Sequence, residues 1–302
     1  MASFLTTEKF RNLYPFESRY FSLKGKKYHY VDEGKGSPVV MVHGNPTWSF
    51  YYRNLIIRLK SSGKRAIAPD HIGCGLSDKP GLKSYDYDFK TRVDDFTAFM
   101  EHIVPEKPVS LVVHDWGGAI AMAYAVNHPN KIDKLVILNT AAFFPPAGKA
   151  IPSRLRIIRD MPYVSDIAVL GGNLFARSAL YMATGKGLDP DVKKSLIAPY
   201  DSWKNRIATL QFVKNIPLAE KDPAYQAVKV MENRLFVLRD KPMLILWGMR
   251  DFVFDSDYYY EWKRRFPHAR SLAFKNAGHY VLEDERETLP QMIDQFLSEP
   301  AF

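Results

Sequence analysis

One stretch constrains the fold more than any other: Val109-Ser110-Leu111-Val112-Val113-His114-Asp115-Trp116-Gly117-Gly118, followed by a small-residue run over 119–127. The Val and Leu run, bounded by glycines, reads as a short buried strand. Behind the two glycines, alanines at 119, 121, 123 and 125 read as a helix packed tightly against a sheet. So abrupt a passage from strand to helix lifts one side chain above the sheet, and flanking glycines let neighbouring backbones pass close by. The residue at the tip is Asp115. A strand ending in Asp-x-Gly-Gly also fits an aspartate that merely caps the next helix, so the rest of the chain decides between the two.

The chain has 302 residues, 46% hydrophobic and 25% charged, enough for one large α/β domain with an insertion. No apolar run approaches the ~18 residues of a membrane span. The first eleven residues hold no apolar core of a signal peptide, so a cytoplasmic location is expected. A single cysteine, Cys74, excludes an internal disulfide and a cysteine-paired zinc site; a buried thiol is its expected state, and if exposed it could bridge two copies. Net charge is +9, which raises the question of nucleic acid, but the basic residues are scattered and no basic–aromatic ladder occurs. Residues 144–215 carry 11 Lys and Arg against 5 Asp and Glu, a positive segment suited to an anion or to solvent.

Along the chain, 20–23 and 27–32 read as an antiparallel hairpin, and 38–42 as a buried strand running into His43-Gly44-Asn45-Pro46. An amphipathic helix over 51–60 and a strand over 65–69 follow. The loop 70–80 contains Gly73 and Gly75 but lacks the third glycine and the helix of a nucleotide fingerprint. Further strands are expected at 134–138, 243–247 and 271–274, and helices at 91–104 and 288–298. Between 144 and 218 the strand alternation stops and Arg-rich amphipathic stretches take over. The pattern predicts an α/β chain with a mostly parallel eight-stranded sheet built from residues 1–143 and 219–302, and a helical cap, 144–218, inserted after the sixth strand.

In such sheets ligands bind beyond the carboxyl ends of the strands. The residues there are Asn45, Asp70, Asp115, Asn139, Asp251 and His279. Asp115, Asp251 and His279 follow the chain order of nucleophile, acid and histidine in the α/β-hydrolase triad. Asp255 and Asp257 rival Asp251 but lie farther from a strand end, His43 reads as shaping its turn, and His114 as pointing away from the site. No Gly-x-Ser-x-Gly occurs, which argues against an esterase or lipase. A carboxylate is ionised at neutral pH and suits displacement at a saturated carbon, leaving an ester on Asp115. His279, oriented by Asp251, would then activate water against that ester, with backbone amides near Asn45 and Trp116 holding the oxyanion. The expelled anion would meet the Trp116 indole N–H and the Asn45 amide, a two-donor cradle. No metal, nucleotide or flavin pattern occurs, so no cofactor is expected.

The segments His43-Gly44-Asn45-Pro46-Thr47-Trp48-Ser49, 70–80, Val113-His114-Asp115-Trp116-Gly117-Gly118 and Gly278-His279 resemble the haloalkane dehalogenases, and the resemblance covers essentially the whole chain. It implies Asp115 as nucleophile, His279 as base, and Asn45 with Trp116 as halide donors. One branch of that family carries its acid after the strand before the cap. Here that position is Asn139, so the acid falls to Asp251, as in the family's third subfamily. Another branch takes a halide donor from a cap tryptophan; Asn45 makes this unnecessary, although Trp203 lies in the cap. The stretch Ala198-Pro199-Tyr200-Asp201-Ser202-Trp203-Lys204-Asn205-Arg206-Ile207 is similar to the third subfamily and also to the β-lactone decarboxylases of bacterial olefin synthesis, which share the triad. The implied reaction is displacement of halide from an alkyl carbon, with β-lactone decarboxylation as the alternative. The expected partners are a small hydrophobic halogenated or lactone substrate, a halide ion and a possible second copy, without nucleic acid or a membrane span. An epoxide hydrolase, drawing a proton from Tyr163, Tyr181 or Tyr200, and a non-catalytic ligand receptor complete the readings.

Overall fold

The computed structural model describes residues 10–146 and 149–300; residues 1–9, read above for a leader, lie outside the described residues. The chain runs through β1 (Arg19–Leu23), β2 (Lys26–Glu33), β3 (Pro38–Val42), α1 (Arg53–Ser61), β4 (Arg65–Pro69), α2 (Phe89–Ile103), β5 (Val109–His114), α3 (Trp116–Asn127) and β6 (Ile132–Leu138). Five helices come next: α4 (Ser153–Asp160), α5 (Pro162–Ser165), α6 (Leu174–Met182), α7 (Pro190–Ile197) and α8 (Ile207–Lys214), with a π-helical turn over Asp166–Gly171. Then come α9 (Tyr225–Arg234), β7 (Met243–Gly248), α10 (Ser256–Arg265), β8 (Arg270–Phe274), α11 (Val281–Asp284) and α12 (Thr288–Ser298). The expected strands are all present within two residues of their limits. The helix expected over 51–60 divides, because a 3-10 turn over Ser49–Tyr52 precedes α1.

All eight strands form one sheet in the order β1-β2-β4-β3-β5-β6-β7-β8. β2 pairs antiparallel with β1 and β4, and every other pairing is parallel. Alternation along the strands divides the core into two layers. Val40, Val42, Leu111, Val113, Ile137 and Ile245 face α2, α3, α9 and α10. Val39, Met41, Val112, Val136 and Leu138 face α1 and α12. The helices α9 and α10 stand where the sequence reading names none. Their buried faces are narrow, Val228 and Met231 in one and Tyr258, Tyr259 and Trp262 in the other, among residues that are otherwise mostly polar.

After β3 the chain moves to β4 on one side, then returns past β3 to place β5 on the other. Connections that diverge from adjacent strands leave a crevice at their carboxyl ends. The β3 and β5 ends hold that position. α3 descends from it so close to β3 that a Cβ on Gly117 would lie 2.1 Å from the Val42 carbonyl oxygen. Among the described residues, no helix is long and apolar enough to cross a membrane.

Candidate active site

Asp115 sits at the β5–α3 turn with φ +52° and ψ −135°, a conformation L-residues rarely adopt. Its side chain makes no capping hydrogen bond to α3. The capping alternative is therefore set aside: the carboxylate turns towards the crevice instead. The Asn45 backbone N–H donates to its Oδ1 at 2.7 Å, while Oδ2 lies 3.5 Å from His279 Nε2. The approach depends on Gly44, where a Cβ would fall 2.0 Å from Asp115 Oδ1. Burial opposes charge on Asp115, but the His279 hydrogen bond and positive charge outweigh it, so its pKa falls below the usual carboxylate range.

His279 follows β8, and its Nδ1–H donates to Asp251 Oδ2 at 2.7 Å. The structure thus brings Asp115, His279 and Asp251 together. Burial alone would push the imidazole towards neutrality; the charges of Asp251 and Asp115 reverse this and raise its pKa to about 10. The free site is therefore an imidazolium between two carboxylates. Asp251 is itself held, its Oδ1 accepting from the Val253 N–H at 2.7 Å. Of its rivals, Asp255 caps α10 and both Asp255 and Asp257 pair with Lys149, away from His279.

Asn139 is the residue whose part the sequence reading did not foresee. At φ +24° beyond β6, its Nδ2 donates to the Gly248 carbonyl and to Asp251 Oδ2, both at 3.0 Å. Its Oδ1 accepts from Gly248 N–H at 2.8 Å. The amide clasps the end of β7 and presents Asp251 to His279. Its polar type at a strand end was the available signal, read only as the lack of an acid. His114 stays out of the cavity lining, as expected, but is not idle: its Nε2–H donates to the His279 carbonyl at 2.8 Å, and the two rings lie 4.5 Å apart. Burial beside the imidazolium keeps it neutral, its pKa lowered to about 3. His43 does shape its turn, donating through Nδ1 to the Gly44 carbonyl and accepting the His71 N–H.

Asn45 and Trp116 join Asp115 and His279 in the wall of one cavity of about 460 Å³. Asn45 Nδ2 donates to the Thr209 carbonyl of α8 at 3.0 Å, which commits one of its two hydrogens. The Trp116 ring packs against Phe89 and Phe212, with no acceptor for its indole N–H among the described residues. Beyond this polar end the lining is largely apolar, including Phe144, Leu155, Phe175, Val228, Met231 and Phe254. Tyr163 and Tyr181 are exposed, Tyr200 donates to the Thr47 carbonyl, and none of the three lines the cavity; nor does Trp203. Cys74 is buried, its thiol pushed up to about 11 chiefly by burial.

Comparison with known proteins bears on the family and the fold. A family model described as the alpha/beta hydrolase fold matches residues 37–286. The chain is 44% identical over 288 residues to a cis-3-alkyl-4-alkyloxetan-2-one decarboxylase of Shewanella oneidensis, covering 95% of this chain and 90% of the relative. It is 31% identical to haloalkane dehalogenase 2 of Mycobacterium bovis, covering 93% and 95% of the two chains. Among solved structures, the haloalkane dehalogenase DbeA of Bradyrhizobium elkani superposes with a TM-score of 0.84 at 24% identity, over 94% of this chain and 98% of the other. That likeness concerns the fold.

Proposed function

The chain belongs to the α/β-hydrolase fold family, and from that premise we propose that it is a β-lactone decarboxylase converting a cis-3,4-dialkyl-oxetan-2-one to a cis-alkene and carbon dioxide. The observation that carries the reading is an ionised Asp115, backed by the imidazolium of His279, at the polar end of an otherwise apolar cavity of about 460 Å³. The 44% identity to a decarboxylase supports placing the lactone first and the alkyl halide second. Residues 144–218 act as the cap that closes this cavity.

In the first step Asp115 Oδ2 attacks ring carbon C4, since Oδ1 is held at 2.7 Å by Asn45 N–H whereas the His279 contact to Oδ2 is looser, at 3.5 Å. The C4–O bond breaks and its electron pair stays on the released carboxylate. The Trp116 indole N–H and the second hydrogen of Asn45 Nδ2 receive that anion, and the His279 charge stabilises it as it forms. In the second step the bond from C3 to the carboxylate carbon breaks. Its electrons form the C3–C4 double bond, and Asp115 leaves C4 with the electron pair of the ester bond. Inversion at C4 followed by anti elimination gives the cis-alkene from the cis-lactone. Atoms balance without water.

The cradle of Trp116 and Asn45 favours the second reading, hydrolytic dehalogenation, equally in its first step. There the ester on Asp115 must be hydrolysed by a water that His279 deprotonates. Esterification removes one of the two carboxylates that hold the imidazole protonated, so its pKa falls, the imidazolium releases its proton to solvent and the neutral ring can take one from water. Single turnover in heavy-oxygen water separates the two. A cis-β-lactone is expected to yield alkene and leave Asp115 unlabelled, whereas hydrolysis of 1,2-dibromoethane would put label in that carboxyl group. A β-hydroxy acid from the lactone, or no turnover of it, rejects the decarboxylase.

A further inference from the structure

The helices between β6 and β7 hold apolar side chains in water. Met161-Pro162-Tyr163-Val164 are four consecutive exposed residues, Tyr163 by 86%. Ile157 on α4 and Ile167 in the π-helical turn, 72% exposed, flank them. Single exposed apolar residues are ordinary, but a whole turn with none buried, flanked by two isoleucines, marks a contact surface.

The same segment carries the mouth of the cavity. Arg154, Leu174 and Ser178 line the cavity and are also exposed, so it reaches solvent between α4 and α6. Leu155, Ile158 and Ala168, on the inward sides of the elements that bear the patch, line its wall. A short piece of chain is apolar towards the substrate space on one side and apolar towards water on the other.

Charge selects the occupant. Asp160 and Asp166, the acids within the patch, are paired, the first with Arg156 and Arg159 and the second with Lys214. Arg154, Arg177 and Lys204 have no carboxylate partner among the described residues; Arg154 reaches the Met182 sulfur. Two copies meeting face to face would oppose these cations, whereas anionic headgroups complement them. We propose that Met161-Pro162-Tyr163-Val164, with Ile157 and Ile167, inserts shallowly into an anionic lipid surface. Arg154, Arg177 and Lys204 rest on the headgroups, and a two-chain substrate passes from lipid into the cavity without crossing water. The identity of that substrate rests on the lactone reading; the docking itself does not.

The test is co-sedimentation of the full chain with phosphatidylcholine vesicles containing about 30 mol% phosphatidylglycerol, at about 0.1 M salt. The protein is expected to pellet, and the double variant Tyr163→Asp, Ile167→Asp to lose roughly tenfold in binding. Turnover of a short-chain lactone in buffer should be unchanged, since neither side chain lines the cavity. Docking is overturned if the parent stays in the supernatant, if the double variant pellets as strongly, or if light scattering shows a parent dimer that the variant dissociates. Loss of the lactone reading would leave vesicle binding intact, and loss of docking would leave alkene formation from soluble lactone intact.

Discussion

At Asp115 the backbone holds φ +52°, a conformation that costs of order 1–3 kcal/mol in a residue with a side chain. The cost places Oδ1 on the Asn45 amide and leaves Oδ2 for attack. Asp115→Asn keeps this shape and removes the nucleophile, so kcat should fall by more than about a thousandfold, measured on lactone and alkyl halide alike. His279→Phe separates the chemistries. With 1,2-dibromoethane the alkyl ester should persist on Asp115 as added mass, while the lactone ester should still collapse to alkene. Asn139→Ala frees Asp251 from its clasp at 3.0 Å, so its carboxylate moves off His279 Nδ1 and holds the imidazolium less tightly. The alkaline limit of kcat/KM should move to lower pH; loss of rate with an unmoved profile would mean Asn139 acts only on stability.

Among the elements, the strand–turn–helix of β5 and α3 was the most legible, because its side chains answer to one requirement, close packing. Gly117→Ala would place a Cβ 2.1 Å from the Val42 carbonyl oxygen. We expect a loss of ~2 kcal/mol or more in urea unfolding. The grouping of Asp115, Asp251 and His279 was legible for a related reason: each lies in the turn or loop that follows a strand, Asp115 directly after β5, Asp251 after β7 and His279 after β8, so its position is read from its neighbours. Asn139 was not, since its part depends on Gly248 and Asp251, more than a hundred residues away. α10 escaped because its core face is three aromatic residues among charges, a pattern without the aliphatic periodicity by which helices are recognised. The cavity wall beyond the triad was equally hidden, as it gathers residues from α4, α6, α9 and the loop at 252–254.

For the whole molecule, buried charge sets the response to pH. His279 is raised from its ordinary value near 6.5 to about 10, so its stabilisation is complete below about 6.5 and is lost as pH rises through 10. Asp115 and Asp70 are lowered, Asp70 to about 2, where burial is outweighed by His29. Their stabilisation is present above the usual carboxylate range and disappears in acid. Urea midpoints should therefore peak in mildly acidic solution and decline on both sides, and Asp115→Asn should flatten the alkaline decline.

The amide that grips Asp115 Oδ1 lies 70 residues before it, and the imidazolium facing Oδ2 comes from the loop after the final strand. A half-assembled chain thus has an aspartate at this position but neither of the two groups that hold its carboxylate. On the proposed mechanism, Asp115 is therefore placed to attack carbon only after the last strand has docked.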